Sequence, residues 1–218
     1  MLSAAPLIPM RPTIDRLRAA AKSCRACPLW KTGTQTVFGE GSADAKVMFV
    51  GEQPGNDEDL AGRPFVGPAG TFLDKVVEEV GIDRDEVYVT NVVKHFKWEP
   101  VGKRRIHKKP NSREIAACQP WLQAELDVIK PTVLVCLGAT AAQALLGKGF
   151  RVSQRRGELI ESPLAPFVMA TVHPSSILRA PDDEKRREAR EDFTADMRKV
   201  AEVIHRETKR RRSTVLQH

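Results

Sequence analysis

The sequence predicts an α/β fold, a three-layer sandwich in which a central, mainly parallel sheet is flanked by helices. Short apolar runs bounded by Gly, Pro or polar residues alternate along the chain with segments whose apolar residues recur at helical spacing. Such alternation is typical of a parallel sheet covered on both faces, because each crossover packs a helix against the sheet.

The predicted elements follow one another in a regular order. Strands are expected at 45–50, 87–90, 132–137 and 167–172. Helices are expected at 14–23, 69–80, 112–129, 140–146 and 183–206. The last helix is so highly charged that only a narrow stripe of it can pack.

Size allows one core. With 218 residues and 41% hydrophobic content, the chain is long enough for a single domain, which we place at 12–206. A basic tail at 207–218 is expected to be disordered, since its polar composition offers little to bury.

Charge and hydropathy narrow the functional classes. Lys and Arg number 35 against 28 Asp and Glu, and basic clusters lie at 103–109 and 209–212. Such clusters attract phosphate, although the second is more simply explained as solvated surface. The sequence has no apolar run long enough to span a membrane and no secretory signal at its start, so we expect a cytoplasmic protein that does not contact membranes.

Two loops follow predicted strands and carry polar side chains. The segment 51–70 supplies Glu52, Gln53, Asp59 and Phe65 among glycines that let the backbone approach a ligand. The segment 95–111 is long, basic and without periodic pattern, which is typical of a functional or disordered loop. Both loops should open onto the same crevice at the carboxyl edge of the sheet. An ordinary solvated connection is the alternative for the first loop.

The cysteines indicate a metal site. Cys24 and Cys27 form a Cys-x-x-Cys pair at a helix end, and Cys118 lies on a later predicted helix. Cys136 lies inside an apolar strand, where a cysteine is more often a small core residue. His95, just past a strand, is a candidate fourth ligand. Three cysteines and one histidine could hold zinc or an iron–sulfur cluster, and the spacing does not separate these; free thiols remain the alternative.

Several sequence blocks lie in order between residues 24 and 180. They read CRACPL at 24–29, GEQPG at 51–55, GRPFVGPAG at 62–70, YVTNVVK at 88–94, AC at 117–118, LGATA at 137–141 and HPSS at 173–176. In these blocks the chain resembles the family 4-type uracil-DNA glycosylases. The resemblance implies a parallel sheet between helices, a four-iron four-sulfur (4Fe-4S) cluster and excision of uracil from DNA.

Three departures from that pattern resemble a subgroup, the UdgX-type enzymes. Gln53 replaces a small residue, His95 replaces the third cluster cysteine, and KRRIH is inserted at 103–107. Enzymes of this type excise uracil and stay covalently joined to the sugar through a histidine of the inserted loop, which here is His107. The cluster ligands that the resemblance implies are Cys24, Cys27, His95 and Cys118, and Cys136 is excluded.

The resemblance also implies roles for residues around the base. The uracil-binding set is Gln53, Phe65, Asn91 and Asp59, in which Phe65 stacks on the base and Asn91 hydrogen-bonds its Watson–Crick edge. His173 is expected to hydrogen-bond the uracil oxygen on which charge accumulates when the bond to the sugar breaks. The residues expected to contact DNA are Lys103, Arg104, Arg105 and Ser175.

His107 and Glu52 would then complete the chemistry. A neutral histidine, with an ordinary pKa near 6.5, is a better nucleophile than water and should capture C1′ of the sugar. Glu52 would orient the imidazole or, alternatively, position a water molecule. We expect a monomer acting on uracil-containing DNA, with single strands favoured because flipping is easiest there. A conventional, water-using glycosylase and a non-enzymatic DNA-binding module are the alternatives.

Overall fold

The computed structural model describes residues 3–215, with the side chains of residues 211–215 excepted, as a sheet with helices around it. The strands are β1 (Glu40–Gly41), β2 (Val47–Gly51), β3 (Val87–Asn91), β4 (Trp98–Val101), β5 (Arg104–His107), β6 (Val133–Leu137), β7 (Leu159–Ser162) and β8 (Ala165–Thr171). The α-helices are α1 (Ile14–Ala21), α2 (Asn56–Ala61), α3 (Pro68–Glu79), α4 (Ser112–Ile129), α5 (Ala139–Leu146), α6 (Val152–Arg155), α7 (Pro174–Leu178) and α8 (Asp183–Val215). Short 3-10 turns occur at Ala5–Leu7, Pro28–Lys31 and Arg84–Glu86.

The central sheet confirms the predicted α/β architecture. Six strands pair in the order β1-β3-β2-β6-β8-β7. The four inner strands are parallel, while β1 and β7 pair antiparallel at the two edges. The sequence did not predict the two edge strands, because β1 has only two residues and β7 alternates exposed and half-buried positions without an apolar run.

Successive residues of the inner strands pack on opposite faces of the sheet. Met48 belongs to the apolar cluster that includes Trp121 of α4, whereas Phe49 belongs to the one that includes Leu73 of α3 and Phe193 of α8. Since all five side chains are buried, the sheet is covered on both faces, as the sequence predicted.

The order of the strands places a crevice at their carboxyl ends. Strand β2 pairs with β3 on one side and with β6 on the other. The chain passes from β2 to β3 and then crosses to β6, so the direction of the strand order reverses at β2. Such a switch point opens a binding crevice at the carboxyl edge of an α/β sheet. The chain reaches this edge at the ends of β2, β3, β6 and β8.

Two segments differ from the expectation drawn from the sequence. The 95–111 loop contains an antiparallel hairpin of β4 and β5, which pairs Trp98 with His107 and turns at Gly102 with φ of 59°. Its mostly polar strands carry no apolar alternation that would reveal them. Helix α8 continues to Val215, so the tail expected to be disordered is helical over 207–215; residues 216–218 lie outside the described part. No described helix is long and apolar enough to cross a membrane.

Candidate active site

A cavity of about 720 Å³ opens at the carboxyl edge of the sheet. It gathers residues at or just after the ends of β2, β3, β6 and β8, the edge at which an α/β sheet is expected to bind ligands. The residues singled out from the sequence that line it are Glu52, Gln53, Phe65, Asn91, His107, His173 and Ser175. Residues distant in sequence are therefore brought to one concave site.

Two glycines let Asn91 and Phe65, which line the cavity, approach the neighbouring backbone closely. Gly51 ends β2, and a methyl group added there would lie 2.4 Å from Oδ1 of Asn91 and 3.0 Å from the Phe65 ring. Phe65 has a left-handed backbone, with φ of 56°, and Gly70 packs so closely that an added Cβ would lie 1.7 Å from the Phe65 carbonyl oxygen. A hydrogen side chain at both glycines thus lets an amide and an aromatic face converge.

His107 and Glu52 meet at the mouth of the cavity. Nε2 of His107, at the end of β5, lies 3.2 Å from Oε1 of Glu52, which follows β2. The other carboxylate oxygen of Glu52 accepts a hydrogen bond from the hydroxyl of Thr140 on α5. The His107 side chain is 51% exposed, so one edge of the ring remains accessible from the cavity.

The environment of Glu52 favours its charged form. Burial by itself raises the pKa of this carboxyl, but hydrogen bonds from His107 and Thr140 and the charge of Lys109 outweigh burial, and the pKa is lowered. Glu52 is therefore ionised at neutral pH, and its Oε1 faces Nε2 of His107 at 3.2 Å. A carboxylate at that position favours a proton on Nε2, which leaves the lone pair of the neutral ring on the nitrogen away from Glu52.

His173 is held as a neutral ring with a defined tautomer. Burial lowers its pKa to about 4, although Glu52 opposes the shift. Its Nδ1 accepts a hydrogen bond from the backbone N–H of Ser175 at 3.2 Å, so the proton of the neutral ring lies on Nε2. An Nε2 donor can then hydrogen-bond a ligand oxygen in the cavity.

Gln53 anchors the hairpin that carries His107. Its Nε2 donates to the carbonyl oxygens of Lys97 and Lys108, both at 3.1 Å, and its Oε1 accepts from the N–H of Lys97 at 3.2 Å. These two residues flank the hairpin at its base. The sequence predicted that the loop backbone around Gln53 forms part of the base-binding wall; Gln53 lines the cavity, and that role stays a prediction.

Asp59 and Arg105 also differ from their predicted places. Asp59 was expected beside the base, yet it is fully buried and does not line the cavity. Arg105 was expected to contact phosphate, but its guanidinium points inward, 2.6 Å from Asp59 Oδ2, and lies over the rings of Phe96 and Trp98. A buried carboxylate needs a paired charge, which explains why this arginine turns away from solvent. Lys103 and Arg104 remain exposed on the hairpin.

The candidate metal ligands do not line the cavity. Cys24, Cys27 and Cys118 are buried, and the first accepts a hydrogen bond from the Trp121 indole at 3.3 Å. The backbone N–H of Lys94 donates to the Cys118 sulfur at 3.2 Å. Donors aimed at sulfur are features of iron–sulfur sites, where they stabilise thiolate charge.

The chemistry of this set suits a group that brings positive charge. Burial raises the pKa of Cys118 to about 12, with Cys27 and Cys24 adding to the effect, so the Cys118 thiol holds its proton until a metal displaces it. Burial also lowers the pKa of His95, which keeps the imidazole in its metal-binding neutral form. His95 Nε2 lies 3.0 Å from the Thr36 hydroxyl.

Among the described residues, no three such side chains are close enough for a single metal ion. Cys136 is wholly buried in β6 and packs in the apolar core, in keeping with its exclusion from the ligand set.

Comparison with known proteins identifies the family. The model of the uracil DNA glycosylase superfamily matches residues 38–198. The chain belongs to that superfamily.

Relatives within the superfamily cover most of this chain. The type-4 uracil-DNA glycosylase of Thermotoga maritima is 43% identical over 173 residues, 79% of this chain and 86% of that protein. The type-4 enzyme of Archaeoglobus fulgidus is 35% identical over 198 residues, 88% of this chain and 93% of that protein. A type-5 uracil-DNA glycosylase of Thermus thermophilus is 29% identical over 170 residues, 71% of this chain and 74% of that protein.

Sequence reasoning missed several residues of this uracil-DNA glycosylase-like pocket. Thr140, Lys109 and Arg179 all line the cavity, and Glu58 accepts hydrogen bonds from the N–H groups of Gly55 and Gly67 that hold the loop together. The available signals were that Thr140 lies inside a matching block, that Lys109 and Arg179 lie shortly after His107 and the HPSS block, and that Glu58 lies between two blocks. None of these residue types is chemically distinctive enough to be chosen without the geometry.

Proposed function

We propose that this protein excises uracil from DNA and then bonds through His107 to C1′ of the abasic sugar. The observation that carries the proposal is the contact between His107 and the ionised Glu52 at the mouth of a pocket that also contains Asn91, Phe65 and His173. Membership of the uracil-DNA glycosylase superfamily supports the substrate and the first step.

Recognition of the base begins with its removal from the stack. A nucleobase inside a strand must flip outward to reach such a pocket. Flipping costs a few kcal/mol, which the contacts of the base in the pocket offset. The Phe65 ring offers an aromatic face on which the base stacks. The Asn91 amide presents one donor and one acceptor, the complement of N3–H and O4 of uracil, whereas cytosine reverses that pattern.

His173 stabilises the leaving group. Cleavage of the bond between N1 and C1′ sends its electron pair to uracil, where negative charge collects on the oxygens. A neutral imidazole that donates through Nε2 lowers the energy of that charge without needing a proton from solvent. The electron-deficient sugar left behind requires a nucleophile.

His107 provides that nucleophile. The ring nitrogen that faces away from Glu52 keeps its lone pair and forms the new bond to C1′ once the bond to uracil has broken. The imidazolium that results is stabilised by the Glu52 carboxylate, 3.2 Å from the opposite nitrogen. Tethering on the hairpin gives the histidine a high effective concentration relative to water.

The exposed cations of the hairpin fit the DNA strand on either side of the flipped nucleotide. Lys103 and Arg104 lie in the turn and at the start of β5, on the hairpin that carries His107. Lysine and arginine there would neutralise flanking phosphates and release counterions, so binding should weaken with salt.

A 4Fe-4S cluster fits the site formed by Cys24, Cys27, Cys118 and His95. Such a cluster would fasten the N-terminal segment, the segment after β3 and helix α4 to one another. Base excision involves no electron transfer, so we assign the cluster a structural function. The chain's own residues supply every step of the reaction described above.

The experiment is denaturing gel electrophoresis after mixing the protein with uracil-containing single-stranded DNA. We expect a slow-migrating adduct with the native protein, none with His107→Ala, and a normal adduct with His205→Ala, a control at an exposed histidine on α8. Glu52→Gln should slow adduct formation. An adduct that persists in His107→Ala would contradict the covalent step.

The similarity to type-4 enzymes favours one second candidate, a conventional glycosylase that releases an abasic site by means of water. In that case Glu52 would position the water molecule. Released uracil in molar excess over the protein, with no adduct, would establish this candidate instead.

A further inference from the structure

A buried ion pair lies next to Asn91, and the side chains that form it have no part in the reaction proposed above. Lys94 follows β3 and Glu125 lies on α4; their side chains are 1% and 0% exposed, and Nζ is 2.5 Å from Oε2. Neither residue lines the cavity. The hydroxyls of Tyr88 and Thr90 donate to the same carboxylate, at 2.9 Å each.

All three donors of the Lys94 ammonium group are used. Besides Glu125, they reach the Thr90 hydroxyl at 2.6 Å and the backbone carbonyl oxygen of Asn91 at 2.7 Å. The third bond connects the ion pair to the residue proposed to read the base. The Lys94 backbone is also fixed, because its N–H donates to Cys118 and its carbonyl oxygen accepts from Val37.

Stability alone does not account for this arrangement. Removing two charges from water is expensive, so a buried pair adds little net stability compared with apolar residues of similar volume. What such a pair supplies well is a fixed geometry, since each of its hydrogen bonds is directional and strong in a medium of low dielectric constant.

The backbone at Asn91 needs support from outside the sheet. Asn91 is the last residue of β3, where regular pairing ends, and the next N–H, that of Val92, donates to the Gly51 carbonyl oxygen at 2.9 Å. Lys94 holds the Asn91 carbonyl oxygen, so the peptide unit between Asn91 and Val92 is held at both its oxygen and its nitrogen. Fixing this unit fixes the origin of the Asn91 side chain, whose amide packs against Gly51.

We propose that the Lys94–Glu125 ion pair positions Asn91. By holding the Asn91 carbonyl oxygen, the pair fixes the location of the side-chain amide that is proposed to bind uracil. The inference rests on the proposed reading of uracil by Asn91 and adds two residues that determine its accuracy. Lys94 and Glu125 act through Asn91 and do not touch the substrate.

The test is the double variant Lys94→Met/Glu125→Gln, which removes the bond to Asn91 without leaving a buried unpaired charge. The matched control is Lys46→Met/Glu86→Gln, because that Lys–Glu pair has the same 2.5 Å separation but lies at the amino ends of β2 and β3, away from the cavity. The assay is the single-turnover rate of uracil excision at saturating DNA, measured with the affinity for uracil-free single-stranded DNA.

We expect the Lys94→Met/Glu125→Gln variant to lose about 100-fold in excision rate, because a shift of about 1 Å in a group that positions the substrate has an effect of that size. Affinity for uracil-free DNA, which depends on the exposed cations, should stay unchanged, and the control should keep its rate. An excision rate equal to that of the native protein in a folded double variant would overturn the proposal.

A crystal structure of the same double variant separates this inference from the proposed function. We expect the Asn91 amide to move relative to Gly51, and an unmoved amide would overturn the positioning role even if the native protein excised no uracil. Should the double variant fail to fold, Lys94→Arg, which keeps the charge but presents planar donors, provides the same two measurements.

Discussion

Replacement of Gln53 by Ala tests how firmly the hairpin must be held. The variant loses three hydrogen bonds between the Gln53 amide and the backbone of Lys97 and Lys108. At about 1 kcal/mol for each bond, the anchored position of the hairpin would lose about 3 kcal/mol relative to a displaced one. That difference corresponds to a change of about 100-fold in the ratio of anchored hairpins, which place His107 beside Glu52, to displaced ones.

The assay compares two products of one reaction. Gln53→Ala should lower the rate of adduct formation on uracil-containing single-stranded DNA far more than the rate of uracil release. Phe65, Asn91 and His173 lie outside the hairpin, and water can capture the sugar when His107 is displaced. Gln143→Ala is the matched control, since that side chain also donates to a backbone carbonyl oxygen, that of Phe150, but away from the hairpin. Adduct formation at the native rate in Gln53→Ala would refute the anchoring argument.

Three further predictions concern charge, pH and metal. Arg104→Gln should weaken binding to single-stranded DNA and reduce the slope of log K against log salt by about one, whereas Arg105→Gln should leave that slope unchanged and lower stability, because Arg105 faces Asp59. Because the pKa of His173 is lowered to about 4 in the folded protein, the unfolded chain binds a proton on this ring between pH of about 6.5 and 4, while the folded chain does not. The free energy of unfolding should therefore fall by up to about 3 kcal/mol over that range. Urea denaturation should show a smaller fall for His173→Gln, and an equal fall would contradict this assignment. Cys118→Ser should lose bound iron and visible absorbance while Cys136→Ser keeps both, and retention of iron by Cys118→Ser would exclude that residue as a ligand.

Much of the fold could be predicted because the inner strands carry strong signals. Runs such as Val47–Gly51 and Val133–Leu137 are apolar at every position until they end at glycine or a helix start, which is typical of strands covered on both faces. The site residues at their ends followed from the same logic, because parallel strands deliver Glu52 and Asn91 to one edge. The single-domain boundary, monomeric state and cytoplasmic location stay predictions.

The hairpin and its contacts could not be predicted from local pattern. Strands β4 and β5 are short and largely exposed, and their positions are determined by distant groups, Gln53 and Asp59, rather than by their own apolar content. A motif can indicate that Arg105 is important without showing which way it points. Whether an arginine meets phosphate or a buried carboxylate is decided by which carboxylate the fold places nearby, here Asp59.

Mass spectrometry of the intact protein after mixing with uracil-containing single-stranded DNA detects a covalent bond to His107 without further assumption. We expect the protein to gain the mass of the DNA strand without its uracil, and peptide mapping to locate the sugar on the imidazole of His107. An unmodified protein together with free uracil, or a sugar attached to any other residue, would contradict the proposal.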